Sequence, residues 1–454
     1  MQSSVFHRSI GKAYPTAARG DGVYLITEDG KRIFDGSSGA AVSCLGHGNT
    51  EIIEAICEQA RGMAFAHSSF FTNDPAESLS RLLIENTRKT TPDAGGFPAK
   101  VLFLSSGSEA VESSLKLARQ YHVYRGEPQR VNIIGRTHAY HGNTLGALAA
   151  GNNPARCDTY APLLAPTFHH VRRCFYQADG QAQGITEDEY EDALLDDWEA
   201  TFNRLGPQTV AAVIVEPVGG ATLGAVPATK TYLPRLVALC RRHGALVIFD
   251  EVMCGMGRCG TYHAWQALGG VAPDLQSIGK GLSGGYQPLS AVLVGSKVFE
   301  KFEAAHKDGA APFVSGHTFQ DHAIACAAAL QAQTILLRDD LVSRCHSMGE
   351  LLHATLAAEL PPCFAEHGGL QRGLGLFRTV DFGGLGAAVG GGPLAKAVAD
   401  ATLELGAVVY LCSSVVDSIM LCPPFIMTED QTVALARIVV KAVNTVLKAR
   451  QSKD

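Results

Sequence analysis

The sequence predicts an α/β protein: a large domain on a mostly parallel sheet covered by helices, followed by a smaller α+β domain. Three observations lead there. Short runs of consecutive apolar residues alternate with amphipathic stretches through the middle of the chain, the pattern of strands buried on both faces. Small, polar or charged residues follow those runs, where ligands sit in such sheets. After about residue 330 the texture changes to an Ala-rich stretch, a Gly-rich segment and a final amphipathic run.

In chain order, residues 22–35 read as a hairpin turning at Asp29-Gly30. Residues 101–104 form a strand, and 108–124 a helix behind it. Further strands are expected at 131–134, 210–215, 245–249, 275–278 and 289–294, with helical stretches at 190–205 and 232–243. Residues 323–337 form one helix leading out of the sheet domain. The remainder carries the glycines from Gly383 to Gly392, apolar runs at 408–411 and 419–421, and a helix over 429–450. There is no internal repeat and no low-complexity tract.

Composition narrows the function. Of 454 residues, 46% are apolar and 18% charged, which supplies a core and excludes disorder for most of the chain. A net charge of −6 gives no electrostatic footprint for nucleic acid. No apolar run reaches membrane-spanning length. Twelve irregularly spaced cysteines read as reduced thiols. The first twenty residues hold Arg8, Lys12 and Arg19 and no acid, but have no apolar segment of a secretory signal. A cytoplasmic protein without a cleaved signal is expected.

The strand ends carry the chemistry. The first leads into Ser105-Ser106-Gly107-Ser108-Glu109, where Ser106 and Glu109 match a capping box. A helix start after a small-residue turn is also an anion site, because free N–H groups and the helix dipole point at a ligand; alone, a plain cap explains it. The run 245–249 ends in Asp250-Glu251-Val252, and a carboxylate after a buried strand needs a partner. That partner is either structural or a buried cation such as a protonated pyridine nitrogen. The run 275–278 ends in Gly279-Lys280-Gly281, where Lys280 is either a solvated loop residue or an amine that loses its proton and forms a Schiff base. Tyr140-His141-Gly142, Glu216-Pro217 and His317-Thr318-Phe319 are weaker signals of the same kind.

In order, these segments resemble the class III, or omega-type, pyridoxal-phosphate aminotransferases of fold type I. The matching pieces are Gly107-Ser108-Glu109-Ala110-Val111-Glu112, Tyr140-His141-Gly142, Glu216-Pro217, Asp250-Glu251-Val252, Gly279-Lys280-Gly281-Leu282, Gly284-Gly285-Tyr286, His317-Thr318-Phe319 and Pro423-Pro424. The resemblance implies a large cofactor domain over 76–330 and a small domain formed by 1–75 and 331–454. It implies ping-pong transamination between an amine or amino acid and a keto acid, aldehyde or ketone. Lys280 would carry the Schiff base and the substrate proton, and Asp250 would pair with the pyridine nitrogen. Gly107 and Ser108 would bind phosphate, Tyr140 and Val252 would flank the ring, and His141 and Glu216 would lie close to the cofactor. Thr318 would reach the phosphate of a neighbouring subunit, which implies a homodimer. Aminomutases, racemases and phospho-lyases would keep the same lysine and aspartate, and a cofactor-less scaffold would not need them.

Two rivals follow from other motifs. Gly255-Met256-Gly257-Arg258-Cys259-Gly260 fits a dinucleotide fingerprint only if a helix opens inside the glycines. Cys254, Cys259 and His263 could ligate zinc, but their spacing fits no common pattern, so no metal is expected. On the substrate side, residues 410–424 contain no Arg or Lys where many relatives place a carboxylate-binding arginine, and Arg372 is expected to be structural. The small, apolar stretch 39–44 points the same way, towards a roomy, weakly charged pocket for bulky or hydrophobic partners.

Overall fold

The computed structural model describes residues 3–452. Seven strands form the central sheet: β1 (Lys100–Leu104), β2 (Asn132–Arg136), β3 (Phe168–Val171), β4 (Val210–Val215), β5 (Leu246–Asp250), β6 (Leu275–Ile278) and β7 (Ser290–Val294). Their order is β1-β7-β6-β5-β4-β2-β3. The pairs β6–β5, β5–β4, β4–β2 and β2–β3 are parallel; β7 runs antiparallel to both β6 and β1.

Every residue of β4 and β5 is buried. Alternate side chains leave opposite faces of a strand, so each strand feeds two cores. Val213, Val215, Val247 and Phe249 pack into one; Ala212, Ile214, Leu246 and Ile248 pack into the other. Full burial of each large aliphatic or Phe side chain is worth roughly 1.5–3 kcal/mol. The expected strands are all present. β3 was not expected, because Phe-His-His-Val at the sheet edge is only partly buried and lacks a continuous apolar run.

The helix behind β1 is α1 (Gly107–Tyr124). Ser106 caps it by accepting the Glu109 N–H, but the Glu109 carboxylate reaches back to the Ser105 N–H, one residue short of a closed capping box. The expected hairpin is present: Tyr24–Thr27 pairs with Arg32–Asp35, with Gly30 at φ +83° in the turn. The expected strand at 408–411 is split. Ala407–Val408 joins Arg32–Asp35, whereas Tyr410–Leu411 joins Ser418–Leu421 in a second sheet. The two chain ends therefore share one four-stranded sheet. The hairpin Leu370–Leu374/Phe377–Asp381 extends the second sheet, and Glu429–Gln451 closes the fold as a helix capped by Thr428 and Gln431. Among the described residues no helix is long and apolar enough to cross a membrane.

Candidate active site

Parallel strands end at a common edge, and the marked residues meet there. Asp250 stands in register with Ser277 of β6, so Lys280 emerges three residues beyond it on the neighbouring strand. Glu216 follows β4, Tyr140 and His141 follow β2, and Gly107 and Ser108 follow β1. Together with Val252 they line one cavity of about 920 Å³. Eight of the nine expected site residues are thus together. Thr318 is exposed and does not line the cavity of its own chain.

Each polar side chain has a defined neighbour. The Asp250 Oδ2 lies 2.8 Å from His141 Nδ1, and its Oδ1 accepts the Val252 N–H at 3.0 Å. The other nitrogen of His141, Nε2, is buried and has no partner among the described residues. Glu216 accepts N–H groups from Tyr140 at 3.2 Å and Gly220 at 2.8 Å. Burial raises its pKa above the usual carboxylate value, with the Asp250 charge adding to that and His141 opposing it.

Lys280 is held at φ +46°, a conformation uncommon for a side chain with a Cβ. Burial lowers the pKa of its amine; the negative charges of Asp250 and Glu216 oppose the shift. The turn at the start of α1 is tight. A Cβ on Gly107 would lie 2.6 Å from Val252 Cγ1, and one on Gly142 2.7 Å from Ser108 Oγ. Ser108 Oγ in turn accepts the Asn143 N–H at 2.9 Å. Ser106 takes the Glu109 N–H, which leaves the Gly107 and Ser108 N–H groups at the start of α1 as donors on the cavity wall.

The rival motifs fail on local structure. Gly255 to Gly260 form turns, and the next helix, Ala264–Ala267, starts beyond them, so no helix N-terminus faces a pyrophosphate. His263 is buried between Thr87 and Gln276 through its two nitrogens, stacks on Trp265, and is pushed by burial down to about 3. No cluster among the described residues could hold a metal ion. Arg372 is structural as expected: it bonds the carbonyls of Leu223 and Gly224, the Asp381 carboxylate and the Ser418 hydroxyl.

One expectation needs correction. Gly39, Ala40 and Val42 line the cavity as the small, apolar wall foreseen, and the cation-free tail from Tyr410 to Ser414 forms another part. Yet the pocket is not weakly charged, because Arg8 and Arg156 also line it. Neither stands in a pattern that marks it: Arg8 precedes the first strand, and Arg156 sits on a single turn, Pro154–Cys157.

The cavity fits pyridoxal phosphate. It offers an amine, a carboxylate beside a histidine, unsatisfied N–H donors at the start of an 18-residue helix and a buried, unpartnered imidazole nitrogen. Comparison with known proteins agrees. The aminotransferase class-III profile matches residues 6–443. An uncharacterised aminotransferase of Schizosaccharomyces pombe is 39% identical over 98% of this chain and 96% of its own. The omega transaminase of Pseudomonas jessenii, solved in complex with PMP, superposes with a TM-score of 0.87 at 29% identity, covering 96% of this chain and 93% of that one. An (S)-enantioselective omega transaminase from Thermomicrobium roseum gives 0.86 at 32% identity, covering 96% and 94%.

Proposed function

The chain belongs to the class-III aminotransferases and is a pyridoxal-phosphate-dependent transaminase, and from that premise we propose the role of each residue in the cavity. Bound there, pyridoxal phosphate supplies an electron-accepting ring that takes an amino group from one substrate and gives it to the next. The Gly107 and Ser108 N–H groups bind the phosphate. Tyr140 and Val252 flank the ring, and Glu216 sets the Tyr140 backbone by accepting its N–H. Asp250 holds a proton at the pyridine nitrogen, and His141 orients that carboxylate through Nδ1. Lys280 Nζ is the covalent anchor, and it moves the proton at the substrate carbon, a task favoured by the lowering of its pKa on burial.

The observation that carries this reading is the register of β5 and β6, which sets Asp250 and Lys280 side by side at one cavity floor. Purified protein should be yellow with cofactor, bleach on adding an amino donor, and after borohydride treatment yield a labelled peptide containing Lys280. A label on another lysine would overturn the assignment.

We also assign the protein to homodimers in the cytoplasm, with the cofactor domain over 76–330 and the small domain over 1–75 and 331–454. The sheet shared by Arg32–Asp35 and Ala407–Val408 supports the two-segment small domain, and the twelve free cysteines support a reducing compartment. Thr318, exposed and outside the cavity of its own chain, suits a phosphate contact across the dimer. A heterodimer of a Thr318→Ala chain with a Lys280→Ala chain tests this: its only Lys280-competent site takes Thr318 from the other chain and should keep cofactor normally. Weakened cofactor at that site would overturn the contact.

A further inference from the structure

Two guanidinium groups open on the cavity and have no task in the roles assigned above. Arg156 lies with its Cζ 5.9 Å from the centroid of the Tyr140 ring. Arg8 reaches the same cavity from the N-terminal segment. Neither side chain has an ion-pair or hydrogen-bond partner among the described residues. The acids of the cavity do not neutralise them: Asp250 is engaged by His141 and Val252, and Glu216 by two backbone N–H groups. Burial raises the Tyr140 and Tyr410 phenols, and both arginines oppose that rise in both rings, so the four side chains lie within range of one another's charge. The tail wall beside them, Tyr410 to Ser414, carries no cation of its own.

We propose that Arg156, assisted by Arg8, receives the carboxylate of amino-acid and keto-acid substrates at this cavity. The proposal rests on the assignment of Lys280 and Asp250 as the reacting floor. A guanidinium presents a planar fork of donors that matches a carboxylate in two parallel hydrogen bonds. Its contact with the Tyr140 ring holds the group over the cavity and leaves its N–H edges free. The phosphate is an alternative anion, but the start of α1 already offers it N–H donors.

The test uses holoenzyme and substrate pairs that differ only in the carboxylate: L-alanine against isopropylamine as donors, pyruvate against acetone as acceptors. In Arg156→Leu, KM for L-alanine and pyruvate should rise on the order of ten- to a hundredfold, the loss of a charge-assisted contact. KM for isopropylamine and acetone, and the dissociation constant of the cofactor, should not change. Propionate, which cannot react, should bind the parent in calorimetry and fail to bind Arg156→Leu, and Arg156→Lys should recover part of the loss. Arg8→Leu should show the same selectivity at smaller size. Equal KM rises with and without carboxylate would make Arg156 a packing residue for Tyr140. Weaker cofactor binding would make it a phosphate ligand, and unchanged carboxylate kinetics or a parent indifferent to propionate would remove the role altogether. Each of these outcomes overturns the proposal while leaving the borohydride label on Lys280, and with it the floor, in place; a label away from Lys280 would instead sink the floor.

Discussion

Asp250 and Glu251 are consecutive residues at the end of β5, yet they serve opposite sides of the sheet edge. Asp250 faces the cavity, paired with His141 and open to a ligand. Glu251 faces the core, where it is fully buried and accepts the Ala264 and Trp265 N–H groups, each at 2.8 Å. The first carboxylate is the one proposed to serve the cofactor. The second replaces the missing acceptors at the start of the helix Ala264–Ala267 and holds that turn against the strand. The difference teaches that a carboxylate after a buried strand announces a partner, not which kind. Substitutions on the cavity side should cost activity and spare stability; on the core side the order should reverse.

The largest effect is expected at Lys280. On the proposed roles Lys280→Ala removes both the covalent anchor and the proton carrier, so turnover should vanish while the melting temperature stays close to the parent value. Loss of folding in this variant, seen by circular dichroism, would blur the division between the two sides.

Asp250→Asn comes next. On the proposed roles it leaves His141 and the pyridine nitrogen without their charge partner, a loss of about 3–5 kcal/mol by the scale of broken buried pairs, or roughly two to four powers of ten in kcat. Stopped-flow half-reactions would measure it. A variant turning over at the parental rate would show that Asp250, like Glu251, is structural.

What could be read in the sequence divides along similar lines. Lys280, Asp250, Ser108 and Glu216 follow continuous apolar runs, and a parallel sheet gathers whatever follows its strands. Local order along the chain marked them as candidates, and only the ordered resemblance to a family gave them roles. Four things were not legible, each for a physical reason. The strand Phe168–Val171 carries two histidines because it lies at the edge of the sheet. The hairpin of Leu370–Leu374 and Phe377–Asp381 hides two buried arginines, Arg372 and Arg378, whose charges mask its apolar pattern until Asp381 and Glu350 are seen to pair with them. Arg8 and Arg156 line one cavity only because the N-terminal segment and a single turn are folded onto it. The His141–Asp250 pair also needed coordinates, since residues over a hundred apart give no sign of facing each other.

A smaller effect is expected at Gly107, on the cavity side but one step from the chemistry. A methyl group there would lie 2.6 Å from Val252 Cγ1. Valine has little rotamer freedom with which to move aside, so Gly107→Ala should displace it at about 1–3 kcal/mol. If the same turn supplies the proposed phosphate donors, that appears as roughly ten- to a hundredfold weaker cofactor binding, measured by fluorescence titration of the apo form. Unchanged affinity together with a lowered melting temperature would move Gly107 to the structural side.

The smallest effect on activity belongs to Glu251, and there the signature is in pH. Burial pushes its carboxyl up to about 8 from an ordinary 4.5, even though the Ala264 and Trp265 N–H donors oppose the shift, and the Asp250 charge adds to it. Below about pH 4.5 the folded and unfolded states both hold the proton; between that value and about 8 only the folded state does. The folded state then binds more protons, so the contribution of Glu251 to stability is full in acid and is lost as pH rises through this window. Glu251→Gln abolishes the titration but also replaces one acceptor oxygen with a donor, a cost of the order of 1–3 kcal/mol that does not depend on pH. The parent should therefore be the more stable protein at pH 5, and its advantage should shrink by pH 8, with kcat alike in the two proteins wherever both are folded. Denaturant titrations at the two pH values measure the gap directly. A gap that stays constant or widens towards pH 8 would mean that Glu251 is folded in as the anion, held by its two N–H donors, and that the core side of this strand end is as charged as the cavity side.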